Sequence, residues 1–429
     1  MKKTLGLTSK IFLGMLTGLL FGLLIKSIPS DFLRDTVLLN GIIKILSDGF
    51  LTIIKMMVVP LVLISLTCGA SSMGNVKKLG RVGFKTFTFY ISTTCIAITI
   101  AIFISFLINP GIGLDMSHLV SETPIISNSK SFTEILIGII PSNPFKSMVE
   151  GEMLQIIFFS ILLGLSISLA SEKASPVKKF FESANEVVMK MVQIIMNFAP
   201  FGVFALITNT FATTGFHAMI PLFKYMMVIV FTLVLHGIFI YGGMFKLFTG
   251  LKVKPFLKKF IKPASIVFST ASSNAALPVT LETMDDMGVD NSISSFTIPL
   301  GSTINMDGTA IMQGAAAIFI AQIYGINLGI NTIITIILTA TLASIGTAGV
   351  PGVGMVMLSM VLQSVGLPIE GIGLILGVDR ILDMCRSTLN TMGDCICTII
   401  ISKSENSFNE EKYYSNGNIL INESEGLPN

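Results

Sequence analysis

No tryptophan occurs in this 429-residue chain, and charged residues make up only 12% of it. Soluble domains carry about 25% charged residues, so an ordinary water-facing surface is excluded. Histidine is nearly absent: His118, His217 and His236 stand isolated, which argues against a His-based metal or catalytic centre. The five cysteines are scattered through apolar stretches, the pattern of buried free thiols rather than of a disulfide frame or a metal site. A net charge of +3 gives no sign of a nucleic-acid partner. Lack of tryptophan also removes half of the usual aromatic belt, leaving Tyr, Phe and Lys to anchor the interfaces.

What is present is apolar: 52% hydrophobic residues, the composition of a polytopic all-α membrane protein. Long apolar runs lie near 10–28, 41–68, 84–108, 152–171, 187–212 and 219–245, with a shorter partial or interfacial run at 132–141. The first lacks a small-x-small cleavage site and a second span follows within twenty residues, so it reads as a transmembrane helix and not a signal peptide. Basic residues crowd alternate connections: Lys77, Lys78, Arg81 and Lys85; then Lys173, Lys178 and Lys179; then Lys246 to Lys262. The polar loop 109–131 is nearly free of them, so the crowded loops and the N-terminus are cytoplasmic. Residues 403–429 read as a disordered cytoplasmic tail.

Beyond residue 255 the pattern changes. Two apolar segments are interrupted at their middle, one by Ser272, Ser273, Asn274 and Pro278, the other by Gly346 to Gly354 around Pro351. Such interruptions suit re-entrant hairpins, whose tips expose backbone groups to protein, ligand or water. Each is followed by an apolar helix with polar residues inside it, so hairpin-helix occurs twice, as in an internal repeat with binding chemistry where the copies meet. The second of these helices carries Asp379, Asp383, Arg386, Asn390 and Asp394. At about 100° per residue these fall within an arc of roughly 80°. Each ionisable group costs about 2.5–3.5 kcal/mol in a bilayer. The stripe therefore reads as a solute and cation site facing other protein or a wet cavity.

The motifs NMDGT (305–309), SIGTAGVPG (344–352) and D-x3-D-x2-R-x3-N-x3-D (379–394) resemble the dicarboxylate/amino acid:cation symporter family, the glutamate and aspartate transporters, over residues 5–402. The resemblance implies eight transmembrane helices, two opposed re-entrant helical hairpins, inverted repeats and an elevator-type transporter assembled as a homotrimer. It implies that 1–254 are mainly trimerisation and scaffold helices, with 84–108 contributing to the transport core. The core would be 255–402: hairpin 255–290, helix 294–323, hairpin 330–370 and helix 371–402. The first hairpin would enter from the cytoplasm and the second from outside, in a bacterial cytoplasmic membrane.

By the same resemblance, Arg386 pairs with the substrate's side-chain carboxylate and Asp379 steadies that guanidinium. Asp383 accepts the substrate ammonium; Asn390, Ser272 and Ser273 receive the α-carboxylate; Thr309 lies beside the side-chain carboxylate; Val350 and Gly354 close over the ligand. Three sodium sites are implied. One has Asp394 with carbonyls of Gly301, Asn305 and Asn390; a second has backbone oxygens of Thr303, Met306, Ser344, Ile345 and Thr347; a third has Tyr90, Thr93 and Thr94 with Asn305 and Asp307. All are hard oxygen ligands, with Na⁺ the coupling ion and no other cofactor implied. The chain departs from the family at Asn274, where a third serine is common, and at Ala271 and Met384, either of which is often arginine.

Asp383 together with Arg386 narrows the solute. A dicarboxylate without an amino group would be repelled by Asp383, and a neutral amino acid would leave Arg386 buried without its anion. An acidic amino acid satisfies both, so sodium-coupled symport of L-glutamate or L-aspartate is the leading expectation. Proton-coupled symport of glutamate or C4-dicarboxylates is the alternative, since buried carboxylates also relay protons. A channel would favour a ring of one charge sign. A membrane enzyme lacks any HExxH, nucleophile elbow or Cys/His pair in its support.

Overall fold

Apolar runs too long for a soluble core become helices that satisfy their own backbone, as a bilayer requires. The computed structural model describes residues 7–72, 76–114, 116, 137–215, 219–345 and 352–415, all helical or connecting apart from one bridge pair, Val289 and Phe408. The chain opens with α1 (Leu7–Lys26), a π-helical stretch Phe32–Ile43, α2 (Lys44–Ser72) and α3 (Val76–Ile108). The short α4 (Pro144–Glu150) leads into α5 (Met153–Leu169) and the long α6 (Ser175–Thr214). Then come α7 (Met219–Leu235), a π-helical turn His236–Tyr241 and α8 (Gly242–Thr249).

Two pairs of packed helices follow, each pair preceding a helical span. The first is α9 (Val253–Thr270) with α10 (Ser273–Asp286), then α11 (Asn291–Ile304) and α12 (Asp307–Ile323). The second is α13 (Ile330–Ala343) with α14 (Val353–Ser364), then α15 (Ile372–Ser404) and the short α16 (Glu410–Tyr414). Six helical stretches among the described residues are long and apolar enough to cross a membrane. The 33-residue α15 is not one of them, because Asp379, Arg380, Asp383, Arg386 and Asp394 lower its hydropathy.

Burial sorts these helices into a periphery and a centre. The apolar window of α1 is only 22% buried, whereas the Asn291–Ile323 stretch is wholly buried. Around that centre pack α3, α7 and α15. Outside it, α1 lies along α6, and α2 against α5 and α6. The α1–α6 contact is close because Gly14, Gly18 and Gly22 recur every fourth residue, so the backbones meet. A Cβ on Gly18 would lie 2.6 Å from Phe204 O, and one on Gly22 2.6 Å from Thr208 O. This is the small-residue packing typical of membrane helices.

Two expectations need correction. The helix expected over 294–323 is broken: Asn305 (φ −86, ψ 93) and Met306 (φ −122, ψ 42) leave the helical region between α11 and α12. The tail expected to be disordered from 403 is packed as far as Ser415. Asn409 N donates to Gly288 O at 2.7 Å, and the buried Tyr413 donates through its hydroxyl to Lys252 O at 2.7 Å. Lys259 Nζ donates to the carbonyls of Asp286, Lys412 and Tyr413 at 2.9, 2.9 and 3.0 Å. The aromatic rings of Phe408 and Tyr413 anchor a segment whose composition is otherwise polar. Residues 416–429, most of the 109–131 loop and 132–136 lie outside the described residues.

Glu405, just past α15, ties this segment to α3: Lys85 Nζ lies 2.6 Å from it, and Arg81 pairs with its other carboxyl oxygen. These two cations hold the Glu405 carboxyl below its ordinary range. A depressed carboxyl stabilises the fold above its unfolded-state pKa and loses that contribution as pH falls through the folded value. Glu405→Gln should therefore lower thermal stability at pH 7 by at most about 1 kcal/mol, the scale of exposed pairs, with the difference vanishing in acid; melting of both proteins from pH 7 to pH 3 checks this. Gly18→Leu should cost about 1–3 kcal/mol or more by forcing α1 off α6, read as a lowered melting midpoint in detergent.

Candidate functional site

The polar stripe of α15 faces protein, not lipid. Asp379, Asp383, Arg386, Asn390 and Asp394 are 6, 9, 1, 4 and 1% exposed. Arg386 occupies the middle of the stripe. Its Nη2 donates to Asp383 Oδ1 at 3.0 Å and lies 2.8 Å from Asp379 Oδ1, an ion-pair contact without hydrogen-bond alignment. Its Nε and Nη1 have no hydrogen-bond partner among the described residues although both are buried. Leaving donors of a buried cation unpaired is costly, and these two atoms are open to a hydrogen-bond acceptor.

The break between α11 and α12 lies beside this stripe. Asn390 Oδ1 accepts from Gly308 N at 2.7 Å, at the first turn of α12, and Asn390 Nδ2 approaches Met306 Sδ at 3.3 Å. A Cβ on Gly308 would come within 2.7 Å of Arg386 O, so only glycine lets α12 approach α15 this closely. Gly354 of α14 sits over the same place: its missing Cβ would lie 3.5 Å from Thr309 Cγ2 and 3.6 Å from Arg386 Nη2. Thr309, Gly354 and Arg386 are thus neighbours from three helices.

At the tip between α9 and α10, Ala271 takes a left-handed conformation (φ 52, ψ 40) that turns the chain. Ser272 then caps α10, its Oγ accepting from Ala275 N at 3.3 Å. Ser273 is buried beside it at the helix N-terminus, where backbone donors and the helix dipole favour an anion.

A second polar centre lies further along α15. Asn305 Nδ2 donates to Asp394 Oδ1 and to Asn390 O, both at 2.9 Å. Gly301 is squeezed between the Asp394 carboxylate and Tyr90 Oη, so any side chain there would collide with both. Asp307, wholly buried, accepts from Thr94 Oγ1 at 2.5 Å and from Tyr241 Oη at 2.7 Å. Thr93 donates to Tyr90 O at 3.2 Å, turning its hydroxyl back onto α3. Met306 O accepts from Ala310 N, and Thr303 Oγ1 donates to Leu300 O. Ser344 and Ile345 close the end of α13, whereas Thr347 and Val350 lie outside the described residues.

Three residues of these centres escaped the sequence reading. His236, set aside as isolated, places Nε2 at 3.0 Å from Asp307 Oδ2, and Tyr241 shares that oxygen. A π-helical turn spans both residues; such turns recur at functional sites. An ionisable residue inside the apolar run 219–245 was the available signal. Arg380, next to Asp379, has Nη1 at 3.6 Å from Asp383 Oδ2 and donates through Nη2 to Thr270 O at 3.4 Å. A guanidinium is therefore present at the tip although Ala271 and Met384 are not arginine.

Buried charges of both signs around a broken helix, in a helical membrane protein, are the arrangement of a transporter's solute and ion sites. Comparison with known proteins gives the family: the pattern of the sodium:dicarboxylate symporter family matches residues 7–404, and the chain belongs to that family. It is 39% identical to the proton/sodium-glutamate symport protein of Geobacillus stearothermophilus over 418 residues, covering 96% of this chain and 97% of the relative. It is 39% identical to the proton/glutamate-aspartate symporter of Escherichia coli (strain K12) over 415 residues, 94% of each. It is 34% identical to the C4-dicarboxylate transport protein of Bacillus subtilis (strain 168) over 418 residues, 96% of each. The protein is a multi-pass symporter of the cell membrane.

Asn390→Ala would leave the buried Gly308 N–H without its acceptor, at a cost of about 1–3 kcal/mol. Melting of the purified protein without solute should show the loss, and an unchanged midpoint would remove the Asn390–Gly308 bond from the account of this site.

Proposed function

We propose that the protein couples the inward movement of L-glutamate or L-aspartate to a sodium gradient. The observation that carries this reading is the buried Arg386 with two unpaired donors, set between Asp379 and Asp383. A planar guanidinium grips both oxygens of a carboxylate. Asp383 then holds the ammonium, and the N-terminus of α10 at Ser272 and Ser273 receives the second carboxylate with Asn390. Thr309 and Gly354 pack around Arg386, consistent with contact to the ligand side chain.

Sodium is assigned to the second centre. Asp394 and Asp307 are buried, and among the described residues no Lys or Arg pairs with either; their hydrogen-bond partners there are hydroxyls, an amide and one imidazole. Carboxylates so placed, with the carbonyls freed by the Asn305–Met306 break, suit a hard monovalent cation. The names of the relatives include both proton and sodium coupling, so proton-driven uptake on the same fold is the second reading.

The fold expectations extend the proposal. At 1.5 Å per residue, α13 and α14 reach only about 21 and 18 Å, short of the ~30 Å hydrocarbon core. That length suits a hairpin for α13–α14, and the family resemblance supports assigning both α9–α10 and α13–α14 as re-entrant hairpins entering from opposite faces. The family resemblance supports eight spanning helices and a homotrimer held by helices within 1–254, each protomer moving its own core.

Uptake of radiolabelled L-glutamate and L-aspartate into proteoliposomes should require an inward sodium gradient; equal uptake in choline would end the sodium assignment, and pH dependence at fixed sodium separates proton drive. Arg386→Cys removes one partner of a buried charged contact, worth about 2–5 kcal/mol. Acidic substrates should lose at least about thirty-fold in affinity while small neutral amino acids lose far less; equal losses would count against the carboxylate role.

A further inference from the structure

Asp383 has two cationic neighbours. Arg386 Nη2 lies 3.0 Å from its Oδ1, and Arg380 Nη1 lies 3.6 Å from its Oδ2. Arg380 also donates through Nη2 to Thr270 O at 3.4 Å. Thr270 is the last residue of α9, and the left-handed Ala271 and the capping Ser272 follow it. One guanidinium therefore joins the carboxylate on α15 to the tip between α9 and α10. The carbonyl it meets is among the last of a helix, where the dipole favours a cation.

We propose that Arg380 is a positioning and specificity residue, which shares the charge of Asp383 and so sets how strictly the solute site demands an ammonium group. The inference rests on the proposed transport of acidic amino acids and deepens it. With Arg380 in place, the cluster Asp379, Asp383, Arg380 and Arg386 is formally neutral, two charges of each sign. A solute ammonium then competes with Arg380 for Asp383 Oδ2. The 3.6 Å separation is longer than a hydrogen bond, so the arginine yields to a closer partner. A dicarboxylate without an ammonium is tolerated, because Asp383 stays paired. Without the positive charge at 380, Asp383 keeps only its share of Arg386. The free acid then repels a dicarboxylate and attracts an ammonium more strongly.

A purely mechanical role at the tip makes a different prediction. Arg380 would then order Thr270 and the serines behind it, and its loss would weaken every ligand alike. The two roles separate on the ratio of two affinities, because the solutes share their carboxylates and differ in the ammonium.

The test is calorimetric titration of the full-length protein, at saturating sodium, with L-aspartate and with succinate. The unsubstituted protein should bind L-aspartate, and succinate more weakly but measurably. R380Q should raise the succinate-to-aspartate Kd ratio by about ten-fold or more, the effect of one unit charge a few ångströms away in a partly solvated site. R380K, which keeps the charge and shortens the fork, should hold the ratio within about three-fold of the starting value. An unchanged ratio in R380Q, with both ligands weakened equally, overturns the proposal. So does a ratio shifted as far in R380K as expected for R380Q, and R380K alone decides if R380Q does not fold. No detectable succinate binding by the unsubstituted protein also overturns it. Failure to bind L-aspartate removes the transport reading itself, whereas aspartate binding with an unmoved ratio removes only the role of Arg380.

Discussion

A guanidinium that is 1% exposed and has two unpaired donors constrains everything packed around it. Burying an ion without compensation costs several kcal/mol even after relaxation, so Arg386 requires acids close by, and Asp383 and Asp379 stand one and two turns away on the same helix. Those acids would be as costly in lipid as the arginine. Hence α15 is enclosed by α7, α11 and α12, and neighbours approach it through glycine. Gly308 brings α12 against the Arg386 backbone, and Gly354 brings α14 over its side chain. At Gly308 the small residue is a requirement, because a Cβ there would collide with the Arg386 backbone.

The helix break follows from a similar need. A continuous helix consumes its carbonyls internally, and a cation in the membrane has little else to bind. Between α11 and α12 the backbone leaves the helical region at Asn305 and Met306. Asn305 spends its amide on Asp394 and on Asn390 O, so the break is latched to α15. Asp307 follows at once and is latched to α3 by Thr94 and to the π-helical turn by Tyr241 and His236. Any shift of Asn305 or Asp307 is therefore felt by α15, α3 and the π-helical turn alike. The same Asn390 that supplies its carbonyl to Asn305 holds Gly308 next to Arg386. The two centres thus meet at Asn390, through hydrogen bonds on one side and the packing of Gly308 against Arg386 on the other, and on the proposed assignment that contact is where solute and cation occupancy can be linked.

Much of this was legible because the costs are large. An Asp or Arg within an apolar run has few tolerated explanations, so the α15 stripe declared its own enclosure. The Ser272-Ser273 pair in mid-segment declared an interruption for the same reason, whereas Pro278, read with it, lies inside α10 and breaks nothing. What escaped was settled by tertiary contact. His236 looked isolated because its partner, Asp307, is 71 residues away and lies in another helix. Arg380 lay off the five-residue arc and was passed over, although its long side chain reaches both Asp383 and Thr270 O. The break at Asn305 was hidden inside an apolar stretch whose average hydropathy still reads as one helix. The packed tail escaped because composition weighs its Glu, Asn and Ser, while two rings, Phe408 and Tyr413, determine its placement.

The difference between the two centres is one of sign. Around Arg386 the protein supplies both charges, so a visitor must bring both or disturb the balance. Around Asp394 and Asp307 it supplies acids, hydroxyls, amides and one imidazole, with no Lys or Arg among the described residues to offset the acids. A solute with two carboxylates and one ammonium adds a net negative charge to the first centre. A cation in the second offsets that charge through a low-dielectric interior, where screening is weak. Each occupant thus lowers the electrostatic cost of the other without touching it. The hydrogen bonds through Asn390 and Asn305 add a mechanical route between the same two places. On the proposed assignment of solute and cation, co-transport needs no separate coupling device: it follows from placing a balanced centre and an unbalanced one on a single helix.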